Sequence, residues 1–180
     1  MEKAPSELVT KLEAAERQLR VAIRLFFERR DLIAVHSLTA AAQEVVRQLA
    51  KPRGFKGIYE HADEVIRPEE KKEFIELIRA PQNFFKHASK DRNQKLRFHY
   101  EVTKFLLFDA VLLCSSLKGP PYPPEFSALI GWFMHKYPKV FKDGGGIVSA
   151  ANQMVKGIDF DDFELILSAI DCMAQGNKSK

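Results

Sequence analysis

Apolar residues recur along most of the chain at the three- and four-residue spacing of an α-helix face. From Ser6 to about Arg29 they fall at Leu8, Leu12, Ala15, Leu19, Ala22, Ile23 and Phe26, with Ser6 placed to cap the helix and Glu7 beside its positive end. Asp31 predicts the cap of a second helix, which runs to about Ala50 on Val35, Leu38, Ala42, Val45 and Leu49. The short link between them predicts an antiparallel hairpin, and the small residues Thr39 to Ala42 leave room for another helix to approach.

Lys51 to Gly57 reads as a loop from its proline and glycines. Pro68 fits the first turn of a third helix carrying Phe74, Ile75, Leu77 and Ile78, and Pro81 is expected to stop or kink it. Gln82 to Asp91 reads as a short helix and a polar turn. A long apolar helix from about Lys95 to Leu117, ending at Gly119, is apolar around most of its circumference and is expected to be the most buried. Pro120 to Pro124 form a stiff connector. Beyond it the spacing predicts shorter helices over Glu125–Lys136, about Ile147–Lys156, and Phe160–Met173, the last capped by Asp159.

No strand-like alternation, internal repeat or low-complexity tract competes with this pattern. The expected fold is all-α: an antiparallel bundle of about four principal helices over residues 1–118, a connector at 119–124, and a smaller helical extension over 125–180 packed on the same domain.

Composition narrows the chemistry more than it specifies it. The chain has 180 residues, 46% hydrophobic and 29% charged, which is globular composition and excludes a disordered chain. A net charge of +4 suits an anionic partner without requiring one. Two cysteines, Cys114 and Cys172, both in apolar surroundings, exclude a disulfide scaffold or a cysteine-rich zinc site. The start carries no apolar leader, and the greasiest run, Phe105 to Cys114, is broken by Asp109 and too short to span a bilayer. A cytoplasmic protein without membrane partner or cofactor is expected.

The five histidines are where chemistry is sought first. His61 and Glu64 would share a helix face, but no His-Glu-x-x-His pair accompanies them, and a solvated charged loop accounts for the segment better. His36 lies on a half-polar stripe of the second helix with Leu32, Thr39 and Gln43. His135 falls at the surface edge of an apolar helix. Asn83 and His87 are four apart, so a helical turn brings their polar ends together, with Phe84 and Phe85 as anchors and Lys86, Lys90 and Arg92 adding charge. Such a patch can hold a phosphate, and its histidine can move a proton.

Antiparallel helices followed by Asn83-Phe84-Phe85-Lys86-His87 resemble HEPN domains, helical bundles of prokaryotic defence and toxin systems. That resemblance implies homodimers and, in active members, a metal-independent ribonuclease whose arginine and polar residue precede a histidine by a short spacing. Gln82 stands where the arginine of the first segment belongs. Arg92 and Asn93, with His99 after six intervening residues, meet the whole pattern. The resemblance therefore makes His87, His99 and Arg92 the candidate catalytic residues: histidine for the ribose hydroxyl or the leaving oxygen's proton, arginine for the phosphate. Asn83, Lys86, His36 and Gln43 are candidate ligand contacts, with no metal.

Lys142 to Gly146 lacks the Gly-Lys-Ser/Thr of a phosphate loop and reads as a connector. Asp159, Asp161, Asp162 and Glu164 suit a helix start. The 14 phenylalanines read as core. Three functions stay open: an RNA- or nucleotide-binding domain with weak or lost ribonuclease activity, a non-catalytic homodimeric interaction module, and a small-ligand pocket between helices around His36, Gln43 and His87.

Overall fold

The computed structural model describes residues 6–57, 68–87, 92–138 and 159–176, and every regular element within them is helical. Helix α1 (Lys11–Phe27) starts at a reciprocal capping box: Thr10 Oγ1 accepts from the Glu13 amide (3.2 Å) while the Glu13 carboxylate accepts from the Thr10 amide (2.8 Å). Ser6, the expected cap, lies outside the helix, and Glu7 reaches instead to Arg17. The box wins because it satisfies two backbone groups at once, where a lone serine satisfies one. Arg29 takes a left-handed conformation (φ 55°), which reverses the chain, and Asp31 then caps helix α2 (Leu32–Ala50) through the Ile33 and Ala34 amides. α1 and α2 pack along their length, the predicted hairpin.

Helix α3 (Pro68–Lys86) continues past Pro81, so of the expected stop or kink the stop is ruled out. Proline costs a helix interior one hydrogen bond and a local clash. Here the turn is held against its neighbour, with Pro81 buried and Gln82 Nε2 donating to the Ala40 carbonyl of α2 (3.3 Å). Gln82 to Lys86 are thus the end of α3, not a separate short helix.

Helix α4 (Tyr100–Lys118) begins five residues after the position expected at Lys95, and residues 94–99 are not helical. His99 is extended (φ −93°, ψ 108°), and burial alternates along this stretch: Leu96 and Phe98 are half-buried, Lys95, Arg97 and His99 exposed. α4 buries ten residues, more than α1 or α2, as its all-round apolar pattern predicts. After Gly119 the proline connector, with a cis bond between Pro120 and Pro121, leads into helix α5 (Pro124–Lys136). Helix α6 (Phe163–Gly176) is capped by Asp162, which accepts from the Glu164 and Leu165 amides; Asp159 serves the preceding turn, accepting from the Asp161 amide. That shifts the expected start from Phe160 by three residues. The helix expected over Ile147–Lys156 lies outside the described residues.

One continuous core joins α1, α2, α4, α5 and α6: Leu19, Ile23, Phe26 and Phe27 of α1, Val35 and Val46 of α2, Leu107, Phe108 and Val111 of α4, Phe126 and Phe133 of α5, Ile166 and Ile170 of α6. Each such side chain contributes about 1.5–3 kcal/mol on burial. Phe108 and Phe133 stack face to face at 4.0 Å.

Two buried polar links fix helix register. Glu125, fully buried, accepts from Arg20 Nε (3.1 Å) and Arg24 Nε (2.9 Å), and Arg24 reaches on to Asp171 (2.8 Å), so one carboxylate ties α5 to α1 and α6. Burial alone would raise its pKa; its own amide and the two guanidiniums outweigh that and hold it below the usual value. Gln43 Nε2 donates to buried Asp109 Oδ2 (3.0 Å), tying α2 to α4. Gly57 is buried against the same carboxylate: a Cβ there would stand 3.0 Å from Asp109 Cγ and closer still to Oδ1. Among the described residues no helix is long and apolar enough to cross a membrane.

Candidate functional site

The end of α3, the non-helical residues 94–99 and the start of α4 are fastened together by aromatic rings. Phe84 meets Phe85 edge to face at 6.1 Å, Phe85 meets Phe98 at 5.4 Å, and Phe98 meets Tyr100 at 5.5 Å. His36 of α2 lies beneath, with its ring 5.9 Å from Phe85 and 5.2 Å from Phe98. Such pairs add about 0.5–1.5 kcal/mol each beyond their burial. With Phe98 and Leu96 turned inward, the alternation of an extended chain turns Lys95, Arg97 and His99 outward.

The charge on this edge sets it apart. Residues 86–100 hold five lysines and arginines against one aspartate, a surplus as large as that of the whole chain. Elsewhere the described arginines are occupied. Arg17, Arg20, Arg24, Arg30 and Arg47 pair with carboxylates, Arg29 lies over the Phe163 ring, Arg53 donates to the Leu117 carbonyl, and Arg79 acts on Glu44. Arg92 and Arg97 are exposed and, among the described residues, have no such partner; Lys86 and Lys95 likewise form no ion pair there. Cations without an ion-pair partner among the described residues suit an external anion.

Of the sequence-predicted residues, Asn83, Lys86, His87, Arg92 and His99 are all exposed, on the two segments that the aromatic rings hold together. His99 occupies the N-cap position of α4 without making a side-chain cap bond. His36 and Gln43 are on the α4-facing side of α2 and are buried, each in its own link to α4. His36 Nδ1 shares a hydrogen bond with Thr103 Oγ1 (3.1 Å), while Nε2 has no hydrogen-bond partner among the described residues and faces aromatic rings. Burial pushes the His36 pKa down to about 4, so the ring is neutral at physiological pH. The Phe85–Phe98 contact thus joins the segments that carry these exposed candidates, while His36 and Gln43 lie in the interior.

Other candidates take structural places. His135 is exposed and stacks on Phe160 at 5.3 Å. Asp159, Asp161, Asp162 and Glu164 rim an open cleft of about 640 Å³ beside Arg29 and Arg30, over Phe27 and Phe163. Asp159 and Asp162 cap turns there, and no group of three or more His, Cys, Asp or Glu able to hold a metal ion occurs among the described residues. His61, Glu64, Lys90 and the triglycine at 144–146 lie outside the described residues. What the sequence reading passed over is Tyr100, 59% exposed at the first position of α4. Its signal was available only as an aromatic following a basic run.

Compared with protein-family models, with curated proteins and with solved structures, the chain matches none.

Proposed function

We propose that the protein binds RNA along this edge, with Arg92, Lys95 and Arg97 neutralising backbone phosphates and Lys86 adding to the field. The observation that carries this reading is the contrast between these unpaired cations and the engaged arginines of the rest of the described chain. Arginine suits phosphate because its planar fork donates two parallel hydrogen bonds. Exposed His87 and His99 flank the same path and are the groups available for proton transfer. Their chemistry, in the pattern resembling a HEPN ribonuclease, is a separate question from binding.

Binding that rests on phosphate contacts weakens steeply with salt. Three neutralised phosphates on a single strand give a slope of about −2 in log affinity against log salt, or roughly 20-fold weaker binding between 50 and 200 mM. Fluorescence anisotropy with labelled RNA, for the wild type and an Arg92→Ala/Lys95→Ala/Arg97→Ala variant, reads this directly. Incubation of the same RNA without added metal, with His87→Ala and His99→Ala as controls, reads cleavage.

A second reading is self-association. Leu165, Ala169, Cys172 and Met173 recur at i, i+4, i+7 and i+8 along α6, and Leu165 and Met173 are each 41% exposed. An exposed apolar stripe of this kind favours a homodimer, which sedimentation equilibrium measures.

A further inference from the structure

Tyr100 has no packing duty that explains its position. It is the most exposed of the described aromatic residues, and the first turn of a helix places no apolar demand on it. A scattered surface aromatic needs no explanation. What distinguishes this one is its setting. Its ring meets Phe98 at 85°, and Phe98 is itself wedged between Phe85 and His36, so a chain of rings runs from the buried α2–α4 contact to the surface and ends in Tyr100. The residues before it are His99 and, three back, Arg97, which has no ion-pair partner among the described residues. The nearest carboxylate on α4, Glu101, is held by Lys104 and by the Tyr137 hydroxyl (2.6 Å), which reduces its repulsion of a phosphate.

We propose that Tyr100 is a base-stacking residue, so that the edge takes nucleic-acid segments whose bases are unpaired. This rests on the RNA-binding reading above and adds the feature that selects among polyanions. A half-fixed ring beside cations is the combination by which single strands are held: cations follow the backbone, and the ring accepts the face of any base. A duplex keeps its bases stacked on one another and offers Tyr100 nothing, while heparin has charge but no bases. Because the Phe98 contact already restricts the Tyr100 ring, less freedom is lost when a base settles on it.

The test measures affinity of the full chain for four probes of matched length at one salt concentration: single-stranded RNA, an abasic ribose-phosphate chain, duplex RNA and heparin. Wild type, Tyr100→Phe and Tyr100→Leu are compared, with circular dichroism confirming that each is folded. The expected result is that wild type prefers single-stranded RNA and that Tyr100→Phe retains this preference. Tyr100→Leu is expected to lose roughly 5- to 100-fold for single-stranded RNA, the span seen when one stacking side chain is removed, with heparin affinity unchanged. Single-strand affinity unaltered in Tyr100→Leu, or equal wild-type affinity for the abasic chain, overturns the stacking role while leaving phosphate binding in place. Absence of salt-sensitive binding to any of the four overturns the RNA reading itself, and with it this one.

Discussion

Between pH 7 and 4.5 the fold is expected to lose stability through one side chain, His36. Its ring is fully buried, bonded to Thr103 on one side and enclosed by Phe85 and Phe98 on the other, and burial pushes its pKa down to about 4. In the unfolded chain the same imidazole titrates near its ordinary value, about 6.5. The unfolded state therefore gains a proton first as pH falls. Stability is full above about pH 6.5 and declines until about pH 4, where the folded form also takes up the proton. Applying that linkage to a pKa of about 4 gives a loss of roughly 2.5 kcal/mol between pH 7 and 4.5. For a domain of this size that corresponds to a melting temperature lower by about 5–10 °C. The carboxylates of Glu44, Glu101 and Glu125 are held below their usual range, so their contributions start to fall only as pH nears the ordinary value of 4.5, are lost mostly below this window, and are common to wild type and variant. Urea and thermal unfolding of wild type and His36→Phe across pH 7 to 4.5 measure it. The variant is expected to start less stable, since Thr103 loses its partner, but to fall distinctly less over this window. An equal fall in both proteins would refute the assignment of the acid sensitivity to His36.

Two further predictions concern the links between helices. Gly57→Ala forces a methyl group into the Asp109 carboxylate and is expected to cost about 1–3 kcal/mol, whereas Gly176→Ala, with open space around it, is expected to be neutral in the same denaturation series. Glu125→Ala removes the shared acceptor of Arg20 and Arg24 and is expected to destabilise by about 2–3 kcal/mol, below the 3–5 kcal/mol of a wholly buried pair because both arginines are partly exposed; Arg20→Ala alone, which leaves Arg24 in place, should cost less.

The sequence made the helices legible where one face was clearly apolar, as on α1 and α2, or where the run was apolar nearly all round, as on α4. Boundaries were harder. Thr10 and Glu13 spell a capping box, yet Ser6 also fits a cap, and the two differ only in how many backbone groups they satisfy. Pro81 reads as a stop because local sequence does not reveal that α2 holds the turn in place. Over Lys95 to His99, Leu96 and Phe98 suit either a helix or an extended chain, and the rings of Phe85 and His36 decide for the latter. The candidate residues Asn83, Lys86, His87, Arg92 and His99 were visible as residue types. That Arg92 and Arg97 have no ion-pair partner among the described residues was not, because it depends on where the carboxylates go. Glu125 with Arg20 and Arg24, and Gln43 with Asp109, join residues far apart in the chain, and no local pattern announces them. Nothing in the sequence sets Tyr100 apart from the other aromatic residues, because its exposure depends on the fold.

The measurement that bears most directly on the central claim is the salt dependence of RNA binding for wild type beside the Arg92→Ala/Lys95→Ala/Arg97→Ala variant. The account predicts roughly 20-fold weaker wild-type binding between 50 and 200 mM salt, and a variant that binds weakly throughout with a flattened slope. A variant that binds as tightly as wild type with the same slope, or a wild type that does not bind RNA at 50 mM salt, would contradict it.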